Sequence, residues 1–380
     1  MQIQDLRDDL AYLYHALLKH PSFITRTKDP SEFTQLYRKK NDATDSLDAF
    51  IDTATDLTLF FDDGHTNIEI PYTTQDRCLP IPCAWEGDSL IVNPSGYGLT
   101  AGTEILAVEN VPIHEVLKRI TKRIPHENLF LVKSRMIHYP YRNYHIFSDL
   151  NLKWLFGERN TYELTFKGDS GSFRKLCPLT QYDGYLDFPN DSNFVSYKIA
   201  GETAILQLDS CICNDTYINT LKDLAAQCQA KHITSLILDL SRNMGGSSAV
   251  IDEFLRYVNV DHYRRYEMID YSSGKPEYIT KRTETVPNPK YASCFPSNIS
   301  CLVSHDTFSS ARTFAVTLKD NGIAKIIGSP TGGKPSSFGM PKRDTLPNTG
   351  IRFRVSRCEF LRPDASKDSE PSLFPEINAK

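Results

Sequence analysis

A pair of adjacent serines, Ser309 and Ser310, stands where a side-chain hydroxyl could act as a nucleophile. The strand-like run Ile299–Ser304 precedes the pair, and the apolar spacing typical of a helix follows it as far as Asp320. The first N–H groups of a helix have no partner within the helix, and together with the helix dipole they stabilise developing negative charge. This position predicts a nucleophilic hydroxyl at Ser309 with the amide of Ser310 beside it. Helix capping is the alternative, and it is the commoner role of a single serine at such a place.

Two adjacent glycines, Gly245 and Gly246, lie in a second polar turn. This turn, Asp239–Ser248, follows the strand-like run Ser235–Asp239 and precedes another helical pattern. Glycine adopts positive φ and lets other backbone atoms approach closely, so its amide can face a cleft. In an open α/β sheet, reactive groups gather at the carboxyl ends of the strands, which predicts that this turn neighbours the serine turn. Together the two turns would offer a nucleophile and oxyanion donors, whereas a plain glycine turn is the alternative.

The elements that must position these turns fall into three regions of different pattern. Residues 1–75 show helical spacing and end in a polar turn around His65, which an alternating strand pattern follows. Residues 76–195 alternate short strands with turns. Residues 196–380 alternate strands with helices, which predicts an α/β domain with a mainly parallel sheet and right-handed crossovers.

Three motifs of the third region occur in a characteristic order. Asp239-Leu-Ser-Arg-Asn-Met-Gly-Gly246 comes first, Phe308-Ser-Ser-Ala-Arg312 follows, and Gly328-Ser-Pro-Thr-Gly-Gly-Lys334 is the third, with Lys334 placed 334 − 309 = 25 residues after the first serine of the second motif. They resemble the Asp-Leu-Arg-x-Asn-x-Gly-Gly, Ser-x-(Ser/Ala)-Glu and Gly-Glu-x-Thr-x-Gly-Lys motifs of the tail-specific, or C-terminal-processing, serine peptidases, a family that includes the tricorn protease. The resemblance implies a crotonase-like parallel-sheet catalytic domain, a nucleophile at Ser309 and, in the processing branch, a lysine base.

Three positions in these motifs depart from the family pattern. Ser241 replaces an arginine, Arg312 stands where the family usually has glutamate, and Ser329 stands where a second glutamate is common. None of them is the nucleophile or the base that the resemblance implies. Because they change the charge near the site, they bear on the preference for substrate.

The middle region carries a resemblance of its own. Ala101–Ile113 reads as a turn, a strand, a tight turn and a second short strand, and helical spacing resumes at Val116. This order resembles part of a PDZ domain, in which Gly-Asp-x-Ile-Leu-x-Val-Asn-Gly occupies the same place. The resemblance implies that residues 76–195 form a small β-rich region that is a degenerate PDZ-like domain.

The base that would take the Ser309 proton has two candidates. Lys334 matches the processing branch, but a lysine accepts a proton only where burial lowers its pKa. His65 lies in Asp63-Gly-His-Thr66, which resembles the turn that carries the catalytic histidine of the tricorn branch. Because imidazole titrates near neutrality without further tuning, we rank His65 ahead of Lys334. A solvated loop charge is the alternative for Lys334.

The surroundings of the histidine leave further alternatives. If it is not catalytic, it is a turn histidine bonded to Asp62 or Asp63. If it is the base, an acidic partner is expected, and Glu370 or Asp364 could provide it. His305 is interpreted as a structural loop histidine.

These residues predict a serine peptidase that works by acyl transfer. Ser309 would attack a peptide carbonyl and lose its proton to His65 or Lys334, while the amides of the glycine pair and of Ser310 would hold the oxyanion. No metal and no cofactor are expected, and the predicted partner is a peptide or unfolded-protein substrate. A non-catalytic peptide- or ligand-binding protein on the same fold is the rival interpretation, since a fold does not fix a function.

Composition and charge exclude several other classes of protein. The 380 residues are 40% hydrophobic and 24% charged, as in an ordinary globular protein, and the net charge of −4 argues against nucleic-acid binding. The apolar runs are strand-length, far below the roughly 20 residues of a membrane span. The N-terminus lacks the pattern of a signal peptide, so we expect a cytoplasmic protein or an exported one whose signal peptide is absent from this sequence. The nine cysteines lack the spacing of a zinc site and are expected to be mostly reduced core residues.

Overall fold

The chain forms two compact units, each of which joins segments that are distant in the sequence. The computed structural model describes residues 2–138, 140–184, 193–292 and 294–378. Unit 1 consists of Met1–Phe188 and Pro341–Val355, and unit 2 consists of Pro189–Met340 and Ser356–Lys380. Residues 185–192, which fall in the predicted 76–195 region, lie outside the described residues.

Unit 1 opens with helices that bury their apolar faces against one another. Its helices, numbered along the chain, are α1 (Ile3–Leu17), α2 (Pro21–Ile24), α3 (Pro30–Asn41), α4 (Leu47–Leu59), α5 (Ile113–Ile120), α6 (Leu129–His138) and α7 (Asp149–Phe156). The leucines of α1 recur every three or four residues and are buried in one cluster with Phe33 and Phe50. Ser46 caps α4, since its hydroxyl accepts a hydrogen bond from the N–H of Ala49 at 3.2 Å. The predicted helical N-terminal region is confirmed.

The strands of unit 1 form mostly antiparallel sheets. They are β1 (Asn67–Glu69), β2 (Arg77–Cys78), β3 (Cys83–Glu86), β4 (Ser89–Val92), β5 (Glu104–Val108), β6 (Val111–Pro112), β7 (Thr161–Gly168), β8 (Gly171–Pro178) and β9 (Thr180–Gln181), with β20 (Lys342–Thr345) and β21 (Arg352–Val355) from the later segment. One sheet has the order β3-β4-β5-β7-β8, with β6 paired to β5, and a second has the order β1-β21-β20. The sequence places Pro341–Val355 in the 196–380 region, whereas the strands of this segment complete a sheet of unit 1.

Unit 2 is built on the parallel sheet that the sequence predicts. Its strands and helices are β10 (Val195–Ala200), β11 (Thr203–Leu208), α8 (Asp215–Ala230), β12 (Ser235–Asp239), α9 (Ala249–Leu255), β13 (His262–Arg264), β14 (Glu267–Asp270), β15 (Glu277–Thr280), β16 (Thr285–Pro287), β17 (Asn298–Val303), α10 (Ser310–Asp320), β18 (Ala324–Gly328), β19 (Ser337–Gly339), β22 (Cys358–Leu361) and β23 (Ile377–Asn378). The main sheet has the order β10-β11-β12-β17-β18-β23, in which β11 to β23 run parallel and β10 is antiparallel to β11. A second sheet has the order β15-β14-β22-β19.

The core of unit 2 lies between this sheet and its helices. Fully buried side chains from β12 and β17, such as Leu236, Leu238 and Cys301, meet Phe254 of α9 and Phe314 of α10. Burial of this size is the main source of stability for such a unit, at about 1.5–3 kcal/mol for each large apolar side chain. It fixes the ends of β12 and β17 and the start of α10, where the two polar turns lie.

Two further features bear on the expectations from composition. All nine cysteines are free thiols. Seven of them are buried, and Cys213 and Cys294 are half-buried. None of the helices within the described ranges is both long enough and apolar enough to cross a bilayer.

Candidate active site

The glycine turn and the serine turn follow neighbouring parallel strands of unit 2. β12 ends at Asp239 and pairs with β17, so that Asp239 lies opposite Leu302 in the parallel register. One turn begins after Asp239, and the other begins after Val303. Parallel strands place their carboxyl ends at the same edge of a sheet, and the two turns are therefore neighbours.

Ser309 has a strained backbone at the start of α10. Its φ of 52° and ψ of −126° lie where a residue with a side chain is uncommon. Such conformations cost about 1–3 kcal/mol and persist where the surrounding structure enforces them, often at active sites. The Ser309 side chain occupies the cap position of α10 but makes no capping hydrogen bond to the helix. The capping alternative therefore does not account for this serine.

Gly245 packs directly against Ser309. Its φ is 108°, and a Cβ placed on it would lie 2.7 Å from the Ser309 Cβ and 3.0 Å from both the Ser310 nitrogen and the Phe308 oxygen. Separations near or below 3.0 Å are too short for carbon, so no larger residue fits without moving the serine turn. A glycine is therefore required at residue 245 for this close approach.

Asn243 joins the two turns, a role that the sequence patterns did not predict. This buried side chain donates from Nδ2 to the Leu208 oxygen at 2.9 Å and accepts the Gly245 N–H on Oδ1 at 2.8 Å. Its backbone oxygen accepts the Phe308 N–H at 3.1 Å. The asparagine of the Asp-Leu-x-x-Asn motif could have been assigned this role, because a buried amide commonly bonds a tight turn to its neighbours.

Gly246 is held on its other side by Cys211. The Cys211 N–H donates to the Gly245 oxygen at 3.0 Å, and the Ser247 N–H donates to the Cys211 oxygen at 2.7 Å, which forms an isolated parallel bridge. The Ser310 hydroxyl donates to the Gly246 oxygen at 2.7 Å. The N–H of Gly246 takes no part in this bridge. The hydrogen bonds to the Gly245 and Gly246 oxygens fix the orientation of the peptide units on both sides of Gly246.

Gly245→Ala tests whether this close packing positions the serine. We expect the reaction rate with a fluorophosphonate to fall about 100-fold, because a shift of about 1 Å in a reacting group has an effect of that order. The free energy of unfolding should fall by about 1–3 kcal/mol. Gly274→Ala is the matched control, since Gly274 also has positive φ, +82°, but a Cβ there meets no atom within 4 Å. An equal loss of reactivity in both variants would contradict the assignment.

The departures from the family motifs have different environments. Arg312 is only 2% exposed, and its Nη2 donates to the Ser337 hydroxyl at 2.7 Å. Its guanidinium carbon lies 5.4 Å from the centre of the Phe308 ring, next to the serine turn. The N–H of Ser329 donates to the Val303 oxygen at 3.0 Å, so this residue continues the pairing of β18 with β17. Arg312 therefore places a positive charge beside the serine turn.

Lys334 lies on the loop between β18 and β19. Its side chain is exposed, so it lacks the burial that a lysine base requires. His305, on the serine turn, has its Nδ1 2.9 Å from the Pro330 oxygen, which supports the structural interpretation of this residue.

The two predicted acidic partners are bonded to basic residues of unit 2. Arg362 is fully buried, and its Nη1 donates to Glu370 at 2.5 Å while it also pairs with Asp320. Asp364 accepts from the Ser366 hydroxyl and pairs with Lys367 at 2.9 Å, and these two groups lower the pKa of its carboxyl. Both carboxylates therefore stabilise the segment around the short 3₁₀ helix Ala365–Lys367.

His65 lies in unit 1, in a buried turn organised by Asp63. The residue is 8% exposed, its N–H donates to the Asp63 Oδ1 at 2.9 Å, and its Nδ1 lies 3.6 Å from the same oxygen. The Thr66 hydroxyl donates to the Asp63 Oδ2 at 2.6 Å. One carboxylate therefore fixes the backbone of the turn and lies beside the edge of the imidazole.

His20, the residue that precedes α2, supports this carboxylate. The Ser22 N–H donates to the His20 Nδ1 at 3.1 Å, so the proton of the neutral ring is on Nε2, which contacts the Asp63 Oδ2 at 3.2 Å. Burial alone would raise the pKa of Asp63, but hydrogen bonds from His20 and His65 outweigh it and hold the pKa well below its usual value. Asp63 is therefore a buried carboxylate anion beside the imidazole. From the sequence, Asp63 is predicted only as the partner of a non-catalytic histidine.

Comparison with known sequences relates the chain to peptidases. Residues 202–372 match the sequence model of Peptidase family S41. A probable CtpA-like serine protease of Staphylococcus aureus (strain N315) is 25% identical over 184 residues, which are 48% of this chain and 34% of that protein. Its counterpart in Staphylococcus epidermidis (strain ATCC 12228 / FDA PCI 1200) is 23% identical over 184 residues, 48% of this chain and 35% of that protein. The match thus spans about a third of the length of these relatives.

Solved structures share the fold over nearly the whole chain. Mature CPAF complexed with lactacystin superposes with a TM-score of 0.71 at 14% identity and covers 99% of this chain and 94% of that one. The photosystem II D1 C-terminal processing protease superposes with a TM-score of 0.51 at 14% identity, over 99% of this chain and 93% of that one. At this identity the likeness shows the fold alone. Together with the sequence matches, it confirms the predicted similarity to the C-terminal-processing serine peptidases.

Proposed function

We propose that this chain, whose residues 202–372 match peptidase family S41, is a serine peptidase that hydrolyses peptide bonds by acyl transfer. The observation that carries the proposal is the strained, non-capping Ser309 at the start of α10, with Gly245 packed against it. Ser309 attacks the peptide carbonyl, a tetrahedral oxyanion forms, and the amine leaves. Water then hydrolyses the acyl-enzyme.

The oxyanion is held by the amides of Gly246 and Ser310. Ser310 is the first residue of α10, where N–H groups point out of the helix and the dipole favours negative charge. The Gly245 N–H donates to Asn243, so of the two predicted glycine donors we assign Gly246 to the oxyanion. Removal of one such donor typically lowers kcat about 100- to 1000-fold, which is the share of catalysis that each amide would supply.

We assign the general base to His65 in preference to Lys334. The buried carboxylate of Asp63 can orient the imidazole and stabilise the imidazolium that forms when it takes the Ser309 proton. Lys334 is exposed, and its ammonium has no lone pair to accept a proton unless it is desolvated. We assign the orienting carboxylate to Asp63 because it lies beside His65, whereas Glu370 and Asp364 are paired with Arg362 and Lys367.

Two finer features of the fold belong to this proposal. The parallel sheet with helical crossovers in unit 2 supports a crotonase-like catalytic domain. In the middle region, β5, the turn at Glu109 and Asn110, β6 and α5 follow the order that a degenerate PDZ-like domain would have. A peptide-binding module of this kind would suit a peptidase that recognises a chain end, because an extended peptide can add to the edge of a sheet.

Hydrolysis of unfolded peptides tests the function against the binding-only alternative. We expect the purified chain to cleave members of a fluorogenic peptide library and to lose this activity on treatment with a fluorophosphonate. Mass spectrometry of the products separates internal cleavage from removal of a C-terminal segment. Peptides that bind and are recovered intact, with no reaction of the protein with the fluorophosphonate, would replace the peptidase proposal by the binding-only function.

A further inference from the structure

Three ligand-type side chains converge around the histidine turn of unit 1. Asp63, His65 and Glu127 each present one ligand atom, and these atoms lie within 4.8 Å of one another. Asp63 and His65 are buried and Glu127 is half-buried. Glu127 is 62 residues from His65 in the sequence and belongs to the loop that leads into α6, so the cluster is formed by the fold alone.

Glu127 is the unusual member of this cluster. Both of its carboxylate oxygens are buried, and neither has a hydrogen-bond partner among the residues that the structure describes. A buried carboxylate without donors has lost its hydration without compensation, which costs several kcal/mol, and it calls for an ion or a proton. The position of Glu127 beside two other ligands favours an ion.

Arg135 of α6 holds the two loops of the cluster together. Its Nη1 donates to the Pro125 oxygen at 2.8 Å, and its Nη2 donates to the Gly64 oxygen at 2.7 Å. The residue is 2% exposed, so these bonds are shielded from water. Because Pro125 and Gly64 are near neighbours of Glu127 and His65 in sequence, the loops that carry the ligands are fixed before any ion binds.

The charges of the cluster favour a cation. Asp63 and Glu127 bring two carboxylate groups to the cluster. The guanidinium of Arg135 contributes one positive charge, and His20 contacts Asp63 from the other side. Two carboxylates therefore face one guanidinium in this buried cluster, and a divalent cation would supply the positive charge that they lack.

We propose that Asp63, His65 and Glu127 bind a divalent transition-metal cation of the Zn²⁺ or Mn²⁺ type, and that this cation inhibits the proposed peptidase by occupying its base. One imidazole and two carboxylates are a donor set that such ions bind. An ion about 2.1 Å from each donor holds the donors about 3.0–4.2 Å apart, so a small rotation of the Glu127 side chain closes the site. A metal on either ring nitrogen of His65 leaves the other as N–H, and the ring can then no longer accept the Ser309 proton.

Mn²⁺ titration monitored by electron paramagnetic resonance tests the site without any activity measurement. Mn²⁺ is the probe because it prefers oxygen and imidazole donors to the nine free thiols. We expect one Mn²⁺ per chain, with affinity reduced at least about 10-fold in Glu127→Gln. Glu115→Gln is the matched control, since Glu115 is an exposed carboxylate of the same unit, and its variant should bind as the wild type does.

No binding by the wild type, or equal binding by Glu127→Gln, would overturn the metal site. If circular dichroism shows that Glu127→Gln is unfolded, Glu127→Asp replaces it, because the shorter side chain withdraws the carboxylate and should weaken binding in the same way. The inhibitory effect rests on the proposed function and is read separately. Saturating Mn²⁺ should slow fluorophosphonate labelling of the wild type at least about 10-fold, and EDTA should restore it. Binding without slower labelling would leave the site in place and contradict the role of His65, whereas absence of all labelling would contradict the peptidase proposal.

Discussion

Ser309→Ala is expected to lower kcat/KM for peptide hydrolysis about 10⁴-fold or more. Removal of the nucleophile leaves only the oxyanion donors and substrate binding, which in serine peptidases supply a small residual rate. The fold should persist, because the Ser309 side chain makes no capping bond to α10 and alanine differs from serine only by the missing hydroxyl. Steady-state hydrolysis of a fluorogenic peptide, with thermal unfolding measured on the same samples, gives the result.

Ser366→Ala is the matched control for this experiment. Ser366 is an exposed serine of unit 2, in the short 3₁₀ helix, and its hydroxyl donates a hydrogen bond to Asp364. We expect its variant to keep wild-type activity within about twofold, as surface substitutions usually do. If Ser309→Ala keeps more than a tenth of the wild-type activity in a folded protein, Ser309 is not the nucleophile.

His65→Ala and Lys334→Ala are expected to differ by about three orders of magnitude in activity. The loss of the general base should lower kcat about 10³-fold or more, because the serine hydroxyl is then deprotonated only by water. The exposed Lys334 should be replaceable with less than about threefold loss. The rates of fluorophosphonate labelling and of peptide hydrolysis, each measured from pH 5 to 9, provide the comparison.

His114→Ala is the control for this pair, since the His114 side chain is 74% exposed in the same unit as His65. Its variant should behave as the wild type does. The opposite order, with Lys334→Ala inactive and His65→Ala active, would transfer the role of base to Lys334. Asp63 would then hold a structural histidine turn, which is the alternative that the sequence leaves open.

The fold of unit 2 was predictable because its signals are local. The periodicity of the apolar residues predicts each strand and helix separately, and the alternation of strands with helices predicts a parallel sheet. The helical spacing after the serine pair, for example, predicts a helix as far as Asp320, where α10 ends. The pairing of β1 with β21 was not predictable, because these strands are nearly 300 residues apart in the sequence. The residues of one strand do not indicate which distant strand it pairs with.

The site shows the same division between local and non-local information. The serine and glycine turns can be recognised in the sequence because hydroxyls and adjacent glycines follow apolar strands. Adjacent glycines also indicate a backbone with positive φ or a close approach of other atoms. The converging carboxylates of Asp63 and Glu127 could not be found in this way, since a cluster of that kind depends on loops brought together by Arg135. Arg312 was recognised as a departure in charge, but its burial beside the Phe308 ring is visible only in the folded chain.

Mapping of a fluorophosphonate adduct by tandem mass spectrometry tests whether Ser309 is an activated nucleophile. We expect one adduct per chain on the Ser309 hydroxyl, none on the hydroxyl of the adjacent Ser310, and none when the protein is denatured before labelling. An adduct on another residue, or a folded wild-type chain that takes up no fluorophosphonate, would contradict the assignment of Ser309 as an activated nucleophile.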